Sequence, residues 1–565
     1  MHIPDGYLSP STCGALFAAV APFWYAAERS LRRGIGEARI PHIALMSSFS
    51  FIVMMFNIPM AGGTTGHATG AALAGIVLGP GAALLALTTT VVIQAVFFGD
   101  GGVLAIGANC FNLAIVMPAT GALVYRLLAG SGIRSRTAAA AIAGYVAANA
   151  GALCVAVEIG LQPLLFRSPS GQPLYCPFPL ALTVPGMMAG HLTVFGLVEA
   201  LITGGVVNYA LRHEPGLLVT IRNREHGRLR ARAWLLIALF AAAVPLGLLS
   251  TGTAWGEWDE YARVIWPSVF GGYGRTAIRY MLSAFGGAVI CAAIVSVFAF
   301  RHRRRRSIGS SIQRLAEMSD TPGSRPDLNP RLILLVGLSG IVLLNLFQTF
   351  GSLLAAAILP AAAMLLPGFR RSTFLKRIAA SLPIVLLLFA APALFVVPGD
   401  AILTIPLSPS DASVTISRAG LDAAGRLLLR AMGSIGYATA VVVVCGTASA
   451  LGALRGLMLP ASFVTALGMS FRYAAIVGRS LVEVETAYAS RSPAAAPGIR
   501  EGARRIGVAL RRSVELSSHV AMAMTARGHL GASPPRTFGR LTAADLRFLA
   551  LAAAVLAIPV LMEVR

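Results

Sequence analysis

The residues with the clearest capacity for chemistry stand at the start of the chain, where Met1 is followed by His2 and, two residues later, by Pro4. The amine of Met1, the backbone nitrogen of His2 and the His2 imidazole are close enough along one chain to chelate a single metal ion. Nitrogen donors in a planar arrangement suit nickel, copper or low-spin cobalt rather than magnesium or calcium. A bulky second residue favours retention of Met1, and no basic segment precedes the first apolar stretch, so we expect the mature chain to begin at or near Met1.

A fourth donor is available from a second histidine. His67 ends the run Gly62-Gly63-Thr64-Thr65-Gly66, and glycines allow a backbone to approach a ligand closely. We therefore predict that His67 completes a site of four nitrogens with Met1 and His2. The competing interpretation is that either histidine is only an interfacial or packed residue.

The elements that must position these donors are membrane helices. Hydrophobic residues make up 56% of the 565 residues and charged residues only 12%, about half the share typical of soluble domains. Apolar runs near the length that crosses a bilayer, about 20 residues, recur at Ile43 to Met60, Leu332 to Phe350 and Ile378 to Val397. The sequence predicts an all-α polytopic membrane protein surrounded by lipid, with on the order of a dozen spans.

The net charge of +23 comes mostly from arginines in short segments between apolar runs. The positive-inside rule accounts for this pattern without a nucleic-acid partner. The candidate cytoplasmic segments are Arg29 to Arg39, Arg134 to Arg136, Arg212 to Arg232, Arg301 to Arg314 and Arg370 to Arg377. If Arg29 to Arg39 lies inside, then Met1 and the stretch from Ala61 to His67 both lie on the outer side. The six cysteines show no paired spacing and indicate neither a disulfide framework nor a thiolate metal site.

Composition divides the chain into several parts. Residues 301–330 are rich in Arg, Ser, Asp and Pro and are predicted to form a basic cytoplasmic linker between two helical membrane modules. Residues 1–215 form the first module, and residues 216–300 read as a two-helix unit with Trp255 and Trp258 in its outer loop. In the second module, residues 331–565, the charged stretch Leu454 to Gly531 predicts long amphipathic cytoplasmic helices.

Four blocks of the first module resemble the substrate-binding component of energy-coupling-factor cobalt and nickel transporters. They are Met-His-Ile-Pro-Asp-Gly-Tyr-Leu-Ser-Pro at 1–10, Gly-Gly-Thr-Thr-Gly-His at 62–67, Phe-Phe-Gly-Asp-Gly-Gly at 97–102 and Gly-Ala-Asn-Cys-Phe-Asn at 107–112. The resemblance implies metal ligation by the Met1 amine, the His2 amide and imidazole nitrogens, and His67. His191, in a stretch similar to the last helix of that family, is expected to support the ligands or merely to pack.

The remaining parts resemble other components of the same transporters. Residues 233–300 look like a small auxiliary component that assists metal loading. Residues 331–565 are similar to the transmembrane coupling component, in which arginine triplets contact cytoplasmic ATPases. Ala526-Arg527-Gly528 has the family's form of the triplet, while Ser490-Arg491-Ser492 departs from it. An arginine at the end of a cytoplasmic helix suits bidentate contacts with partner carboxylates.

The chain is expected to carry no ATPase of its own. A P-loop needs a Gly-Lys-Ser or Gly-Lys-Thr sequence, and the only lysine, Lys376, lies between Leu375 and Arg377. We therefore predict a transport subunit rather than an enzyme, with separate ATP-binding cassette ATPases as partners. We expect no permanent cofactor, since Co²⁺ or Ni²⁺ is the cargo, and a location in the inner (plasma) membrane of a prokaryote.

Two other classes remain open. A secondary transporter driven by an ion gradient would need ionisable residues deep in its spans, for which Glu158 and Glu199 are the best candidates. A membrane enzyme using the His2 and His67 metal is disfavoured, because four protein nitrogens leave no open position for a substrate.

Overall fold

The structure, a computed structural model, describes twelve stretches of the chain. They are residues 1–31, 40–55, 58–59, 65–169, 171–213, 323–324, 327–397, 399–406, 413–456, 460–491, 499–527 and 541–564. We call residues 1–213 the N-terminal part and residues 323–564 the C-terminal part. The predicted two-helix unit at 216–300, most of the linker at 301–330, Ser492 and Gly528 lie outside the described residues.

The N-terminal part is a bundle of helices with short connections. Its helices are α1 (Pro10–Ser30), α2 (Ile40–Met54), α3 (Ala71–Leu78), α4 (Pro80–Ile93), α5 (Ile106–Cys110), α6 (Met117–Leu128), α7 (Ile133–Gly160), α8 (Gln162–Leu165), α9 (Leu180–Gly190) and α10 (Gly196–His213). Three π-helical segments extend or join them: Gln94–Phe98 after α4, Phe111–Val116 between α5 and α6, and His191–Phe195 between α9 and α10. A pair of two-residue strands, β1 (Ile58–Pro59) and β2 (Thr65–Gly66), leads to His67.

Local sequence explains where several of these elements begin. Ser9 caps α1 by accepting a hydrogen bond from the Thr12 N–H, and Pro10 occupies the first turn, where its missing N–H costs nothing. Gly79 separates α3 from α4 with a φ of +81°, and Pro80 opens α4. The alanines of α7 let α6 and α10 pack closely on either side of it.

The C-terminal part contains α11 (Pro330–Leu346), α12 (Phe350–Ala362), α13 (Arg371–Ile384), α14 (Ala391–Val396), α15 (Arg418–Cys445), α16 (Thr447–Gly456), α17 (Ala461–Arg491), α18 (Ile499–Ala526) and α19 (Ala543–Val564). A 3₁₀ turn, Ala363–Leu365, follows α12, and a π-helical segment, Val385–Ala390, joins α13 to α14. An antiparallel hairpin of β3 (Ala401–Pro406) and β4 (Ser413–Ser417) precedes α15. This hairpin was not among the elements predicted from the sequence.

Within the described ranges, six helices are long and apolar enough to cross a membrane, and three shorter apolar helices accompany them. The prediction of an all-α polytopic membrane protein is confirmed. The long helices α17 and α18 occupy the stretch for which amphipathic helices were predicted.

The two parts pack directly against each other. The Ser48 hydroxyl on α2 donates a 2.7 Å hydrogen bond to the Ser470 carbonyl on α17, and the rings of Phe97 and Phe471 meet edge to face at 4.6 Å. α18 packs against α2 and α10. α15 contacts the turn at Gly6 and the segment Gln94–Phe98 after α4. The C-terminal part therefore contacts the N-terminal part through α15, α17 and α18.

Candidate metal centre

The rings of His2 and His67 lie against each other although 64 positions separate them in the sequence. Their centroids are 5.2 Å apart and the ring planes are inclined by 29°. His67 is buried. His2 is partly exposed, but both of its ring nitrogens are buried. Neither of these nitrogens has a hydrogen-bond partner among the described residues. Buried polar atoms normally have one, so these nitrogens are free to bind a ligand.

Asn109 holds the backbone immediately after His2. Its side-chain oxygen accepts a 2.8 Å hydrogen bond from the Ile3 N–H, and its side-chain NH₂ donates a 3.0 Å bond to the Ile3 carbonyl. The Gly102 N–H donates to the same carbonyl at 2.8 Å. Asn109 and Ile3 are both fully or almost fully buried. This pairing fixes the direction in which the chain leaves His2.

Asp5 provides the second attachment of the N-terminal segment. Its carboxylate accepts hydrogen bonds from the N–H groups of Val103 (3.0 Å), Leu104 (2.9 Å) and Ala105 (3.3 Å). Gly102 is required beside it, since a Cβ built there would lie 2.3 Å from an Asp5 carboxylate oxygen. Residues in or next to the Phe97–Gly102 and Gly107–Asn112 blocks of the sequence thus contact the first residues of the chain and fix their position.

The loop that carries His67 is held by Glu199 on α10. The carboxylate accepts hydrogen bonds from the Thr69 N–H at 2.6 Å, the Gly70 N–H at 3.2 Å and the Thr69 hydroxyl at 3.2 Å. On the other side, Gly66 pairs with Ile58 in the short hairpin. The His67 Nδ1 lies 3.1 Å from the Ala68 carbonyl, so Nδ1 carries the proton in the neutral ring and Nε2 keeps its lone pair.

The electrostatics of the centre favour uncharged donors. Burial, and then the nearby Met1 amine, lower the pKa of His2 to about 3. Burial also lowers the pKa of His67 well below its ordinary value, with the Met1 amine and His2 adding to the effect. The pKa of the Met1 amine is lowered by burial and raised by the Asp100 carboxylate. A metal ligand must be deprotonated, so these shifts leave the lone pairs available near neutral pH.

The nitrogen groups that lie together here are a terminal amine, a backbone nitrogen and two imidazoles. Among the described residues no group of three or more His, Cys, Asp or Glu side chains could hold a metal. Two of the nitrogens that lie together here belong to the backbone and not to such side chains. The nitrogen-rich character of the set suits late first-row transition metals.

His191 lies away from this pair. It occupies the π-helical segment His191–Phe195, where its Nδ1 lies 2.8 Å from the Met187 carbonyl. Its ring contacts Phe195 with centroids 5.1 Å apart, and a Cβ on Gly66 would collide with the same Phe195 ring. His191 therefore packs behind the residue that supports the His67 loop, and no described contact joins it to His2 or His67.

The two acids considered for an ion-gradient mechanism are both engaged by protein groups. Glu199 holds the His67 loop, as described above. Glu158 on α7 accepts a 2.7 Å hydrogen bond from the Asn112 side chain, and its second oxygen has no partner among the described residues.

The described residues of the two arginine triplets lie at the ends of the long helices. Arg491 ends α17 and is exposed, as is Ser490, whose hydroxyl donates to the Ala487 carbonyl. Ala526 ends α18, and Arg527 follows it in an exposed turn. An Arg512–Glu483 ion pair of 3.6 Å links the two helices, but both side chains are at least half exposed and the pair contributes little stability.

Three of the residues described above were missed by the sequence analysis as parts of the centre. Asn109 and Asp5 stood inside the quoted blocks without an assigned role, and Glu199 was considered only as an ion-coupling residue. A polar residue inside an otherwise apolar membrane segment was the available signal, since such residues are rarely without function.

The fold and the site together define a class of protein: a polytopic all-α membrane protein with a nitrogen-rich centre at its N-terminus. Residues 2–217 match the family model for the cobalt uptake substrate-specific transmembrane region (CbiM), and residues 323–537 match that for cobalt transport protein (CbiQ). The chain belongs to the energy-coupling-factor family of cobalt and nickel transport proteins and fuses these two components. It is a transport protein rather than an enzyme.

Several known proteins are similar to the N-terminal half. The fused nickel transport protein NikMN of Rhodobacter capsulatus is 48% identical over 261 residues, 46% of this chain and 75% of that protein. The probable fused nickel transport protein LarMN of Lactiplantibacillus plantarum is 44% identical over 262 residues, 46% of this chain and 78% of that protein. A solved structure described as a transition metal transporter shares 44% identity, covers 42% of this chain and 99% of its own, and has a TM-score of 0.36.

Proposed function

We propose that this chain imports cobalt or nickel ions and binds them through the Met1 amine, the His2 backbone and imidazole nitrogens, and His67. The observation that carries the proposal is the approach of the His2 and His67 rings to 5.2 Å, with both His2 ring nitrogens buried and without a partner among the described residues. The clamps from Asn109 and Asp5 support it, because preorganised ligands bind a metal without first paying for their own ordering.

Transport is driven by ATP hydrolysis on separate subunits. The support is the match of residues 323–537 to the cobalt transport protein family and the exposed arginines, Arg491 and Arg527, at the ends of α17 and α18. Lys376 is the only lysine in the sequence and has no P-loop around it. Arg491 and Arg527, with their flanking residues Ser490, Ser492, Ala526 and Gly528, contact carboxylates of ATP-binding cassette ATPases.

The chain divides into a metal-binding module at 1–215, an auxiliary unit at 216–300, a cytoplasmic linker at 301–330 and a coupling module at 331–565. The ends of the two family matches, at residues 217 and 323, support this division. Import requires the N-terminus on the outer side of a prokaryotic inner membrane, in keeping with the arginine segments on the opposite side.

Nickel is the first cargo to test. The relatives at 48% and 44% identity are described as nickel transport proteins, whereas a protein described as cobalt transport protein CbiM is 28% identical. Cobalt is the second cargo to test, because residues 323–537 match the cobalt transport protein family and both ions accept the same nitrogen donors.

The test is uptake of radiolabelled nickel and cobalt by cells that express the chain with its ATPases, for the wild type, His2→Ala and His67→Ala. We expect both variants to lose uptake, since even residues that only support metal ligands typically contribute 10–100-fold to affinity. The control is His519→Ala, which removes an exposed histidine on α18. We expect this variant to keep metal binding in the purified protein. Normal uptake by both His2→Ala and His67→Ala would contradict the proposal.

A further inference from the structure

Arg430 on α15 is a charged side chain buried completely between the two parts of the chain. One terminal nitrogen donates a 2.7 Å hydrogen bond to the Leu174 carbonyl in the N-terminal part, and the other donates a 2.9 Å bond to the Phe347 carbonyl in the C-terminal part. The guanidinium carbon lies 4.7 Å from the centre of the Tyr175 ring. The Nε atom has no partner among the described residues. Carbonyl dipoles and an aromatic face therefore replace water around this cation.

Holding a guanidinium in this way is costly, because its hydrogen-bond partners are neutral, while the carboxylates of Glu563 and Asp422 act on it without a direct hydrogen bond. An apolar side chain of similar volume joins two helical surfaces at less cost. The position of Arg430 therefore has a use other than adhesion between the two parts.

The backbone of the N-terminal segment lies directly on Arg430. The Tyr7 N–H donates to the Pro4 carbonyl, and Gly6 has a φ of +91°, which fits a type II turn. A Cβ on Gly6 would lie 2.8 Å from the Cβ of Arg430, so the turn and α15 are in close contact. The Cys176 N–H donates to the Tyr7 carbonyl, which ties the turn to the same loop whose Leu174 carbonyl Arg430 holds.

Ser434 lies one helical turn further along α15 and contacts the same segment. Its hydroxyl lies near the Asp5 carboxylate, the group that accepts hydrogen bonds from Val103 and Leu104. The Asn345 side chain on α11 donates to the Ser434 oxygen at 3.4 Å. α15 thus meets the segment at Asp5 and at Gly6, which are three and four residues after the metal-binding His2.

We propose that Arg430 and Ser434 are positioning residues for the metal site. From the C-terminal part, they hold the turn from Pro4 to Tyr7 in the position that brings His2 against His67. A displacement of α15 relative to residues 1–213 then removes two supports of the segment and opens the site. Metal retention is thereby coupled to the C-terminal part through α15, in addition to any contact made by α17 and α18.

This inference rests on the proposed function in taking Met1, His2 and His67 as the ligands of the metal. The measurement is the rate at which Ni²⁺ leaves the full-length chain in lipid nanodiscs after addition of a chelator. The variants are Arg430→Met, which removes the cation and keeps most of the volume, and Ser434→Ala, which removes only a hydroxyl. Arg426→Met is the matched control, because Arg426 lies one turn earlier on α15 and contacts Asp422 and the Gln348 carbonyl, both in the C-terminal part.

We expect Arg430→Met and Ser434→Ala each to release Ni²⁺ about tenfold faster, which corresponds to about 1.4 kcal/mol, and Arg426→Met to release it at the wild-type rate. Arg430→Lys keeps the charge but cannot reach both carbonyls and should release Ni²⁺ at an intermediate rate. Because Ser434→Ala is a small change, it tests the inference even if Arg430→Met does not fold.

A purely structural Arg430 would lower the melting temperature of the metal-free protein and leave the release rate of the folded fraction unchanged. That result, or equal acceleration by Arg426→Met, would overturn the inference. His2→Ala distinguishes a failure of the proposed metal site from a failure of the proposed role of α15. If His2→Ala keeps full Ni²⁺ affinity, the proposed metal site is wrong; if it loses affinity while Arg430→Met and Ser434→Ala release Ni²⁺ normally, only the role of α15 is wrong.

Discussion

Replacing Asn109 by alanine should weaken metal binding although Asn109 is not a ligand. The substitution removes both hydrogen bonds to Ile3, the 2.8 Å bond from its N–H and the 3.0 Å bond to its carbonyl. The carbonyl keeps its 2.8 Å bond from Gly102, whereas the N–H is left buried without its partner. Each neutral hydrogen bond contributes about 0.5–1.5 kcal/mol, so the free-energy loss is about 1–3 kcal/mol. The Kd for Ni²⁺ should rise about 5- to 150-fold.

Equilibrium dialysis of the purified chain against labelled Ni²⁺ measures this Kd directly. Asn149→Ala is a suitable control, because Asn149 is also a buried asparagine in a helix, but its side-chain NH₂ donates to the Tyr145 carbonyl one turn away. An increase of less than twofold for Asn109→Ala, or an equal increase for Asn149→Ala, would refute the argument that the Ile3 clamp organises the site.

Three further predictions follow from the same geometry. Gly102→Ala should weaken Ni²⁺ binding at least tenfold in the same dialysis assay, because its Cβ would lie 2.3 Å from the Asp5 carboxylate. Unchanged binding would show that Asp5 can shift away from residue 102 without disturbing the metal ligands. Glu199→Leu keeps most of the side-chain volume but leaves the buried Thr69 and Gly70 N–H groups without their acceptor, so thermal unfolding should report a loss of at least about 1–3 kcal/mol; an unaltered melting curve would contradict this. Arg527→Ala should abolish uptake in cells while Ni²⁺ binding to the purified chain stays at the wild-type level, and normal uptake would exclude a role in coupling.

Two features could be predicted from the sequence: the class of fold, and the position of His2 and His67 on the same side of the membrane. Hydropathy and helix length are local properties, so apolar runs such as Leu332 to Phe350 could be assigned to helices directly, and α11 covers most of this run before it ends at Leu346. The distribution of arginines placed Met1 and His67 on one side of the membrane, and the structure brings His2 and His67 together.

The supports of the site could not be predicted in the same way. Asn109 reaches Ile3 across 106 positions, and Glu199 reaches Thr69 across 130, so both contacts depend on how the helices pack. The same limit applies to Arg430, whose partner Leu174 lies 256 positions away. Local patterns carry no information on such pairings.

The hairpin of β3 and β4 was missed although a local signal existed. Val414, Thr415 and Ile416 are consecutive β-branched residues, and a segment containing Pro406, Ser408 and Pro409 precedes them. The strands lie between strongly apolar helices. A short apolar run in that context has the same pattern as part of a broken membrane helix.

X-ray absorption at the nickel edge of the loaded protein tests the central claim most directly, because it reports the number and type of atoms around the metal. We expect a shell of nitrogen donors that includes two imidazoles, and the loss of one imidazole in His67→Ala. A shell dominated by oxygen, for example from Asp100, or a spectrum unchanged by His67→Ala would contradict the proposal that Met1, His2 and His67 bind the cargo.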